Sequence, residues 1–325
     1  MACLIRGLGM TDPVAASHNR HGKWPRIWRA FRKHKGAMIG GGILMFIILG
    51  VLLGDLLWAT DPQALDIRNK NMRPLYTLLW DTDAKVGWAH PLGTDSLGRD
   101  ALANLIVGGR TSLAVGAVAM CIALLVGTTV GILAGLFRWL DGPLMRLTDL
   151  VLALPILPLL LLVATLFRAP LRAQFGPEAG MFVLIVTVIG LTSWMQTARI
   201  VRSEILHLKE QDFILAARSI GTRPFALIWR HLLPNTLSPI LVSATLGLAT
   251  AIITESALSF LGFGFPPDFP TWGKMLADSV QRMDQYPERV ILPGAAISLT
   301  VLSVNYLGDG LRDAFDPRSH RRSRN

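Results

Sequence analysis

The densest group of chemistry-bearing side chains lies in a polar stretch between two apolar runs. His90, Asp95 and Asp100 fall within eleven residues. An imidazole with two carboxylates can bind a metal ion or transfer protons. The stretch does not have the oxygen-ligand spacing of a calcium loop, and the sequence has no His-x3-His pair for zinc. The residue types are therefore suitable for a metal, but their spacing is not.

The same stretch has a structural interpretation, which we favour. Gly93 and Gly98 can supply unusual backbone angles. Thr94 and Asp95 are residues that commonly cap helices. We expect a capped turn that packs on the helix bundle, with a helix opening at Leu97.

The patterns of the common catalytic and cofactor sites are absent from the sequence. The chain contains no G-x-x-x-x-G-K-[ST], H-E-x-x-H, C-x-x-C, G-x-S-x-G or G-x-G-x-x-G. Its two cysteines, Cys3 and Cys121, are predicted to be free thiols. We predict no catalytic residue, no bound cofactor and no metal in this chain.

The composition is that of a membrane protein. Of the 325 residues, 51% are hydrophobic and only 17% charged, which excludes a disordered chain and a coiled coil, and two cysteines are too few for a disulfide scaffold. A helix needs roughly 20 apolar residues to cross the hydrocarbon core of a bilayer. Six runs approach or exceed that length, and they predict an all-α bundle of six transmembrane helices. The runs are 37–58, 111–137, 150–167, 181–198, 236–254 and 290–307.

The distribution of positive charge predicts the orientation. The net charge is +10. If the N-terminus is cytoplasmic, the inside segments (1–36, 138–149, 199–235 and 308–325) hold 21 of the 32 Lys and Arg residues. An excess of cations in cytoplasmic segments is the usual topology signal. We therefore expect both termini on the cytoplasmic side of the membrane, and no nucleic-acid partner.

The predicted organisation follows from the runs and the charges. It comprises a cytoplasmic N-terminal segment (1–36), a first transmembrane helix (37–58), an extracytoplasmic loop (59–110), a five-helix core (111–307) with a cytoplasmic loop at 203–235, and a cytoplasmic tail (308–325). In the first segment Trp24, Ile27, Trp28 and Phe31 have the spacing of one helix face. This spacing predicts an amphipathic helix on the bilayer surface, with a plain cationic flank as the alternative.

Carboxylates inside the apolar runs are few and lie near the run ends. Asp55 and Glu255 lie at predicted outer ends, and Asp149 at an inner end. Capping or snorkelling is enough to satisfy such terminal charges, and Thr254 and Ser256 can hydrogen-bond to Glu255. A central charge is the usual mark of an ion- or proton-driven carrier, so this function is disfavoured but stays open.

A cytoplasmic segment is predicted to carry a short helix of two or three turns. Its apolar stripe consists of Phe213, Ile214, Ala217 and Ile220. Gly221 suits the position after a helix end, and Pro224 forbids continuation. A helix this short is marginal alone in water. A groove on a partner protein would explain its stripe; a solvated connector is the alternative.

Two further patterns concern packing. Gly127, Gly131 and Gly135 form a ladder of small residues that lets another helix approach closely, within this chain or from a partner subunit. Gly, Pro and aromatic residues are dense in 257–286, which includes Trp272. This density predicts a tight hairpin that Phe and Trp side chains anchor at the outer interface.

Several blocks, in order along the chain, resemble a known family. Ala216-Ala217-x-x-x-Gly221, followed by Leu233-Pro234-Asn235, resembles the "EAA" loop of permease subunits of ATP-binding-cassette (ABC) importers. Further blocks resemble the oligopeptide/dipeptide/nickel permease family, and specifically the second of its two permease subunits. These blocks are 90–100, 109–113, 145–149, 255–262 and 308–317.

The resemblance implies a fold, partners and a role. The implied fold is the six-helix type I ABC importer permease (MetI-like) architecture. The implied partners are a second homologous permease, two ATPase subunits that use ATP and Mg, and an extracytoplasmic solute-binding protein. The chain itself would be no enzyme but part of the translocation path for peptides. The residues implied to couple to the ATPases are Leu215, Ala216, Ala217, Gly221, Leu233 and Pro234.

One position departs from the family pattern. The first EAA position often holds Glu, and here it is Leu215. Glu210 or Asp212 can replace that charge, or Leu215 can add apolar contact area. A membrane enzyme or scaffold is the remaining alternative function. The substrate stays open among dipeptides, longer peptides, nickel complexes and opines, with peptides as the first choice.

Overall fold

The computed structural model of the protein describes residues 28–29, 31–79, 81–266 and 268–315. These residues are almost entirely helical. The helices are α1 (Lys35–Leu57), α2 (Ala101–Leu136), α3 (Arg138–Ala153), α4 (Ile156–Phe175), α5 (Pro177–Lys209), α6 (Asp212–Ser219), α7 (Pro224–Leu227), α8 (Leu233–Phe260), α9 (Trp272–Val280) and α10 (Glu288–Phe315). A π-helical turn, Ile228–Leu232, joins α7 to α8, and short 3-10 turns occupy Ile67–Asn69 and Leu75–Leu79.

Six helical spans are long and apolar enough to cross a membrane. They are α1, α2, α4, α5, the continuous α7–α8 unit and α10. The span from α7 to α8 is the longest, with 37 residues. The prediction of an all-α protein with six membrane spans is thus confirmed.

The helix bounds differ from the apolar runs because polar residues find partners inside the bundle. α2 begins at Ala101 rather than at 111 and includes Arg110, whose Nε donates to the carbonyl oxygen of Val51 at 2.7 Å. α5 runs to Lys209 and α10 to Phe315, so the predicted loop at 203–235 and tail at 308–325 both begin inside helices.

The third predicted span is interrupted near its start. α3 ends at Ala153, Leu154 is extended (ψ 136°), and α4 begins after Pro155. Proline disfavours the helical conformation of the residue before it, which explains the break. The membrane span is therefore α4, which begins at Ile156 and runs past the predicted end to Phe175.

The core forms where α2 packs along α5, and the glycine ladder lies in this contact. A Cβ atom on Gly127 would lie 2.6 Å from the carbonyl oxygen of Trp194, and one on Gly131 would lie 2.7 Å from that of Ala198. On Gly135 it would lie 2.6 Å from Cγ2 of Ile205. These glycines therefore face α5 of the same chain. α4 packs on the other side of α5, and α10 packs between α1 and α8.

We name the two ends of the bundle by the segments that they carry. The loop end carries residues 58–100, and the α6 end carries α6. His34, the N-cap of α1, lies 3.5 Å from Asp313 near the end of α10, so the first span begins where the last one ends.

The predicted N-terminal helix lies only partly within the described residues. Trp24 and Ile27 are outside them. The rings of Trp28 and Phe31 stack with centroids 5.9 Å apart.

Candidate functional site

The sequence around α6 specifies a short helix with a defined end. Gly221 has φ +78°, a left-handed conformation that glycine adopts without strain. The N–H of Thr222 donates to the carbonyl oxygen of Ala217 at 3.1 Å, and the N–H of Gly221 to that of Arg218 at 2.9 Å. These two bonds are a Schellman motif. The predicted helix and its glycine C′ position are confirmed.

One side of α6 is seated on the bundle. Ile214 is 0% exposed and Ala217 is 6% exposed. They belong to a buried cluster with residues of α2, α5, α7, the π turn and α8. The other members of this cluster are Ile132, Val201, Ile205, Leu208, Leu227, Leu232 and Ile240. We call this cluster the seat of α6. It connects α6 to several helices of the bundle at once.

The rest of the predicted apolar stripe is not in the seat. Phe213 is 44% exposed and Ile220 85% exposed, so only this part of the predicted stripe is open to a partner groove. Leu215 is 48% exposed. At about 100° per residue, it points away from the direction of Ile214 and Ala217. Three of the five apolar side chains of this short helix are therefore exposed, and two are buried.

Two aromatic side chains of the following segment extend this exposed apolar surface. Phe225 is 72% exposed and Trp229 57% exposed, with ring centroids 6.1 Å apart. We call Phe213, Leu215, Ile220, Phe225 and Trp229 together the foot surface. The analysis of the sequence missed the two aromatics, although an apolar pair spaced i, i+4 in a polar segment is a detectable signal.

The remaining predicted coupling residues divide between surface and interior. Ala216, Gly221 and Pro234 are exposed, whereas Leu233 is partly buried. Pro234 has no N–H to donate and its ring disfavours an ordinary helical turn before it. The preceding turn is π-helical, with the N–H of Leu233 donating to the carbonyl oxygen of Ile228.

Ion pairs brace the bundle beside the foot surface. Arg202 of α5 binds Asp141 of α3 through two nitrogens, one of them 2.7 Å from Oδ2, and Arg199 pairs with Asp149. The hydrogen bond from Arg202 lowers the pKa of Asp141. Lys209 Nζ donates to the carbonyl oxygen of Gly135 at 2.8 Å, near the end of α2. These contacts fix α3 and the end of α5 relative to each other.

At the loop end, the polar stretch that could suit a metal serves the start of α2. Asp100 is 1% exposed and caps α2 by accepting from the N–H of Ala103 at 2.7 Å. It also accepts from His90 Nδ1 at 2.8 Å and from Trp58 Nε1 at 3.1 Å. The expected helix start at Leu97 is wrong, because Asp100 is the cap. In the described ranges, no three His, Cys, Asp or Glu residues are grouped to hold a metal.

The two glycines of this stretch are confirmed as turn residues. Gly93 has φ +78° and Gly98 has φ +84°. A Cβ atom on Gly98 would lie 1.9 Å from the carbonyl oxygen of Asp66. These glycines pack on the long loop, whereas packing on the bundle was expected.

Glu255 is an interior residue rather than a snorkelling one. It is 0% exposed and accepts from Ser112 Oγ at 2.9 Å and from Ser259 Oγ at 2.7 Å. Thr254, one of its expected partners, bonds instead to a backbone carbonyl of its own helix. The carboxylate thus links α8 to α2.

Trp272 corrects the predicted hairpin. Its side chain is 1% exposed, and its Nε1 donates to the carbonyl oxygen of Leu105 at 2.9 Å. The hairpin region contains a helix, α9, whose first residue is buried against α2 rather than anchored in an interface. A buried indole N–H needs a hydrogen-bond partner. Because this partner lies far away along the chain, the sequence around Trp272 does not predict it.

Six spans and an exposed apolar surface at one end define a multi-pass α-helical membrane protein. Comparison with known families identifies it further. The family described as binding-protein-dependent transport system inner membrane component matches residues 127–321. The N-terminal TM domain of oligopeptide transport permease C matches residues 22–74. The chain belongs to this family of ABC transporter permease subunits, which confirms the resemblance, and it is a multi-pass protein of the bacterial inner membrane.

Curated relatives match over most of their length. The dipeptide transport system permease protein of Alkalihalophilus pseudofirmus is 36% identical over 91% of this chain and 90% of its own. The oligopeptide transport system permease protein of Bacillus subtilis is 34% identical over the same shares. The glutathione transport system permease protein of Pectobacterium atrosepticum is 35% identical over 95% of each chain.

A solved structure supports the fold. A chain of the MetNI methionine ABC transporter, in inward-facing conformations, matches with a TM-score of 0.54 and 18% identity. The match covers 66% of this chain and 97% of that chain. The expected type I permease architecture is therefore confirmed at the level of the fold.

Proposed function

We propose that this chain forms, with a second homologous permease, the translocation path of an ATP-driven importer for di- or oligopeptides or a related small solute. Two separate ATPase subunits would use ATP and Mg, and an extracytoplasmic binding protein would deliver the solute. Both termini and the α6 end face the cytoplasm in this proposal. Support for the orientation comes from the cation excess of the segments at that end.

The observation that carries the proposal is the divided surface of α6. Ile214 and Ala217 bury one side in the bundle, while Phe213, Leu215 and Ile220 expose apolar area on the others. Several apolar side chains left exposed on so short a helix are typical of an interaction site. A partner groove that covers the foot surface removes this area from water and leaves the seat intact.

The seat gives the coupling a mechanical route. A partner that moves the foot surface moves Ile214 and Ala217, and with them the ends of α5 and α8 in the same cluster. Closely packed elements shift as rigid bodies rather than deform. The ATPase pair can bias this movement only if its ATP-bound and open states contact α6 differently.

The departure at Leu215 fits an apolar contact. Its side chain is 48% exposed, so full burial by a partner gains about 0.7–1.5 kcal/mol, half of the value for a fully exposed leucine. Asp212 is exposed one turn earlier and can supply the charge that the family often has at the first EAA position. We infer that docking combines apolar burial at Leu215 with a polar contact at Asp212.

Peptides are the proposed substrate class because relatives that match over nine-tenths of the chain are named for dipeptides and oligopeptides. The relative named for glutathione, itself a peptide, is equally similar. Di- and oligopeptides therefore rank above nickel complexes and opines.

Cysteine cross-linking in the assembled transporter tests the partner. Ser219 is exposed on the outward side of α6, so Ser219→Cys is the reporter. Gly221 is not replaced, because a cysteine there would have to adopt the left-handed backbone conformation. The background is Cys3→Ser with Cys121→Ser. The matched control is Leu79→Cys, 84% exposed at the loop end. We expect a short bifunctional maleimide to join Ser219→Cys, but not the control, to a co-expressed ATPase.

Transport assays separate this function from the alternatives. In vesicles, peptide uptake should require the second permease, the ATPases and internal ATP. Uptake by this chain alone under an imposed proton or sodium gradient, without ATP, would identify a carrier instead. Intact transport without any contact between Ser219→Cys and an ATPase would refute coupling through α6.

A further inference from the structure

A cavity of about 360 Å³ opens at the loop end of the bundle. None of its lining residues belongs to the foot surface. It lies between the turn at 94–101, α9 and the start of α10. Small-molecule sites typically have volumes of about 300–1,000 Å³. Its charged lining residues are Asp95, Arg99, Lys274, Asp278, Arg282 and Arg289.

Both carboxylates of the cavity wall already have partners. Asp278 accepts from Lys274 Nζ at 2.6 Å. Asp95 accepts two backbone N–H groups of its own turn, each at 2.8 Å. Arg99 lies 3.4 Å from Asp268 outside the cavity lining. The wall thus carries four cations and two acids, and two of the cations, Lys274 and Arg99, have carboxylate partners.

Of the four wall cations, Arg282 and Arg289 have no carboxylate within 4.0 Å among the described residues, and Asp95 and Glu288 act on Arg289 only at longer range. Arg289 is held in place, since its Nη2 donates to Asn71 Oδ1 at 3.1 Å and its guanidinium lies 4.1 Å from the ring centroid of Tyr286. Its Nε is buried and has no hydrogen-bond partner among the described residues. A fixed guanidinium with a spare donor is ready to bind an oxyanion.

We propose that this cavity binds a small organic molecule through a carboxylate group, with Arg282 and Arg289 as its anion-binding pair. The planar fork of arginine matches the geometry of a carboxylate. Leu97, Met275 and Leu292 also line the cavity and can cover a carbon skeleton, which favours an organic acid over an inorganic anion. The proposal does not depend on coupling at α6, and it holds whichever solute the chain translocates.

The test measures binding to the full-length chain in nanodiscs of uncharged lipid. The probes are L-alanyl-L-alanine, its C-terminal amide and inorganic phosphate, titrated by calorimetry. We expect the free acid to bind at least tenfold more tightly than the amide, because a hydrogen-bonded pair with a charged group contributes about 1.5–3 kcal/mol. Phosphate should bind more weakly than the dipeptide.

Variants assign the binding to the arginine pair. Arg282→Gln should weaken dipeptide binding at least tenfold. Arg289→Lys, which keeps the charge but loses the fork, should weaken it without unfolding the chain. Arg68→Gln, at a loop residue outside the cavity lining, is the control and should bind as the parent does. Absence of dipeptide binding, equal binding of the amide, equal or tighter binding of phosphate, or an unchanged affinity in Arg282→Gln each overturns the proposal.

Discussion

Replacing Ile214 by alanine should unseat α6 while the six-span bundle stays folded. Ile214 is 0% exposed, and a buried Ile→Ala change costs about 2–5 kcal/mol. Because an eight-residue helix has little stability of its own, this cost falls on the seat. At 1.4 kcal/mol per factor of ten, even about 2 kcal/mol raises the unseated population about 30-fold.

The reporter for this prediction is a cysteine at the other buried position of α6. Ala217 is 6% exposed, so Ala217→Cys in a background of Cys3→Ser and Cys121→Ser reacts with maleimide only when the helix leaves its seat. Adding Ile214→Ala should accelerate labelling at least tenfold. The matched control, Leu215→Ala, removes a similar side chain from the exposed neighbouring position and should leave the rate unchanged. Equal rates in the two variants would refute a seat built on Ile214.

Three other perturbations have defined outcomes. Gly131→Ala should destabilise the α2–α5 contact by about 1–3 kcal/mol, because its Cβ would lie 2.7 Å from the carbonyl oxygen of Ala198; thermal unfolding in detergent measures it. Asp100→Ala should increase amide exchange at Ala103, because loss of an N-cap costs about 0.5–2 kcal/mol. The Asp141–Arg202 pair should stabilise the chain above pH 3.8, the ordinary pKa of an aspartate, and lose that contribution as the pH falls through the lowered pKa of Asp141.

Each of these predictions has a matched control. Gly142→Ala also lies inside a helix but places its Cβ where nothing lies within 4 Å, so it should leave the unfolding temperature unchanged or raise it slightly. Asp61→Ala removes an exposed turn carboxylate and should leave exchange at Ala103 unchanged. Below pH 3.8 the parent chain should lose the contribution of the Asp141–Arg202 pair to its free energy of unfolding, and Asp141→Asn should not show this loss. The same pH profile of stability in parent and variant would contradict the assignment.

The sequence predicts the parts of the fold that local chemistry determines. Six apolar runs become six spans because a bilayer leaves few other ways to satisfy a backbone. α6 ends at Gly221 as predicted, since glycine and the following Pro224 act within a few residues. The exact helix ends were less predictable, because Arg110 and Lys209 extend helices through partners distant in sequence.

The parts that depend on long-range contacts were not predictable from one sequence. Nothing near Glu255 indicates that Ser112, 143 positions earlier, would donate to it. Nothing near Trp272 indicates a bond to the carbonyl of Leu105. The same limit explains the foot surface: the apolar stripe of α6 was visible, but which half of it is buried depends on where α5 and α8 end.

The glycine ladder explains how the two ends of the bundle can act together. Because Gly127, Gly131 and Gly135 let α2 lie directly against the backbone of α5, the pair has little freedom to slide. α5 leads to the seat of α6, and α2 begins at the loop end, where Asp100 caps it and Ser112 binds Glu255. Under the proposed function, we therefore expect a displacement of α6 by a partner to be carried along α5 and α2 to the Glu255 contact, where α8 and α9 meet.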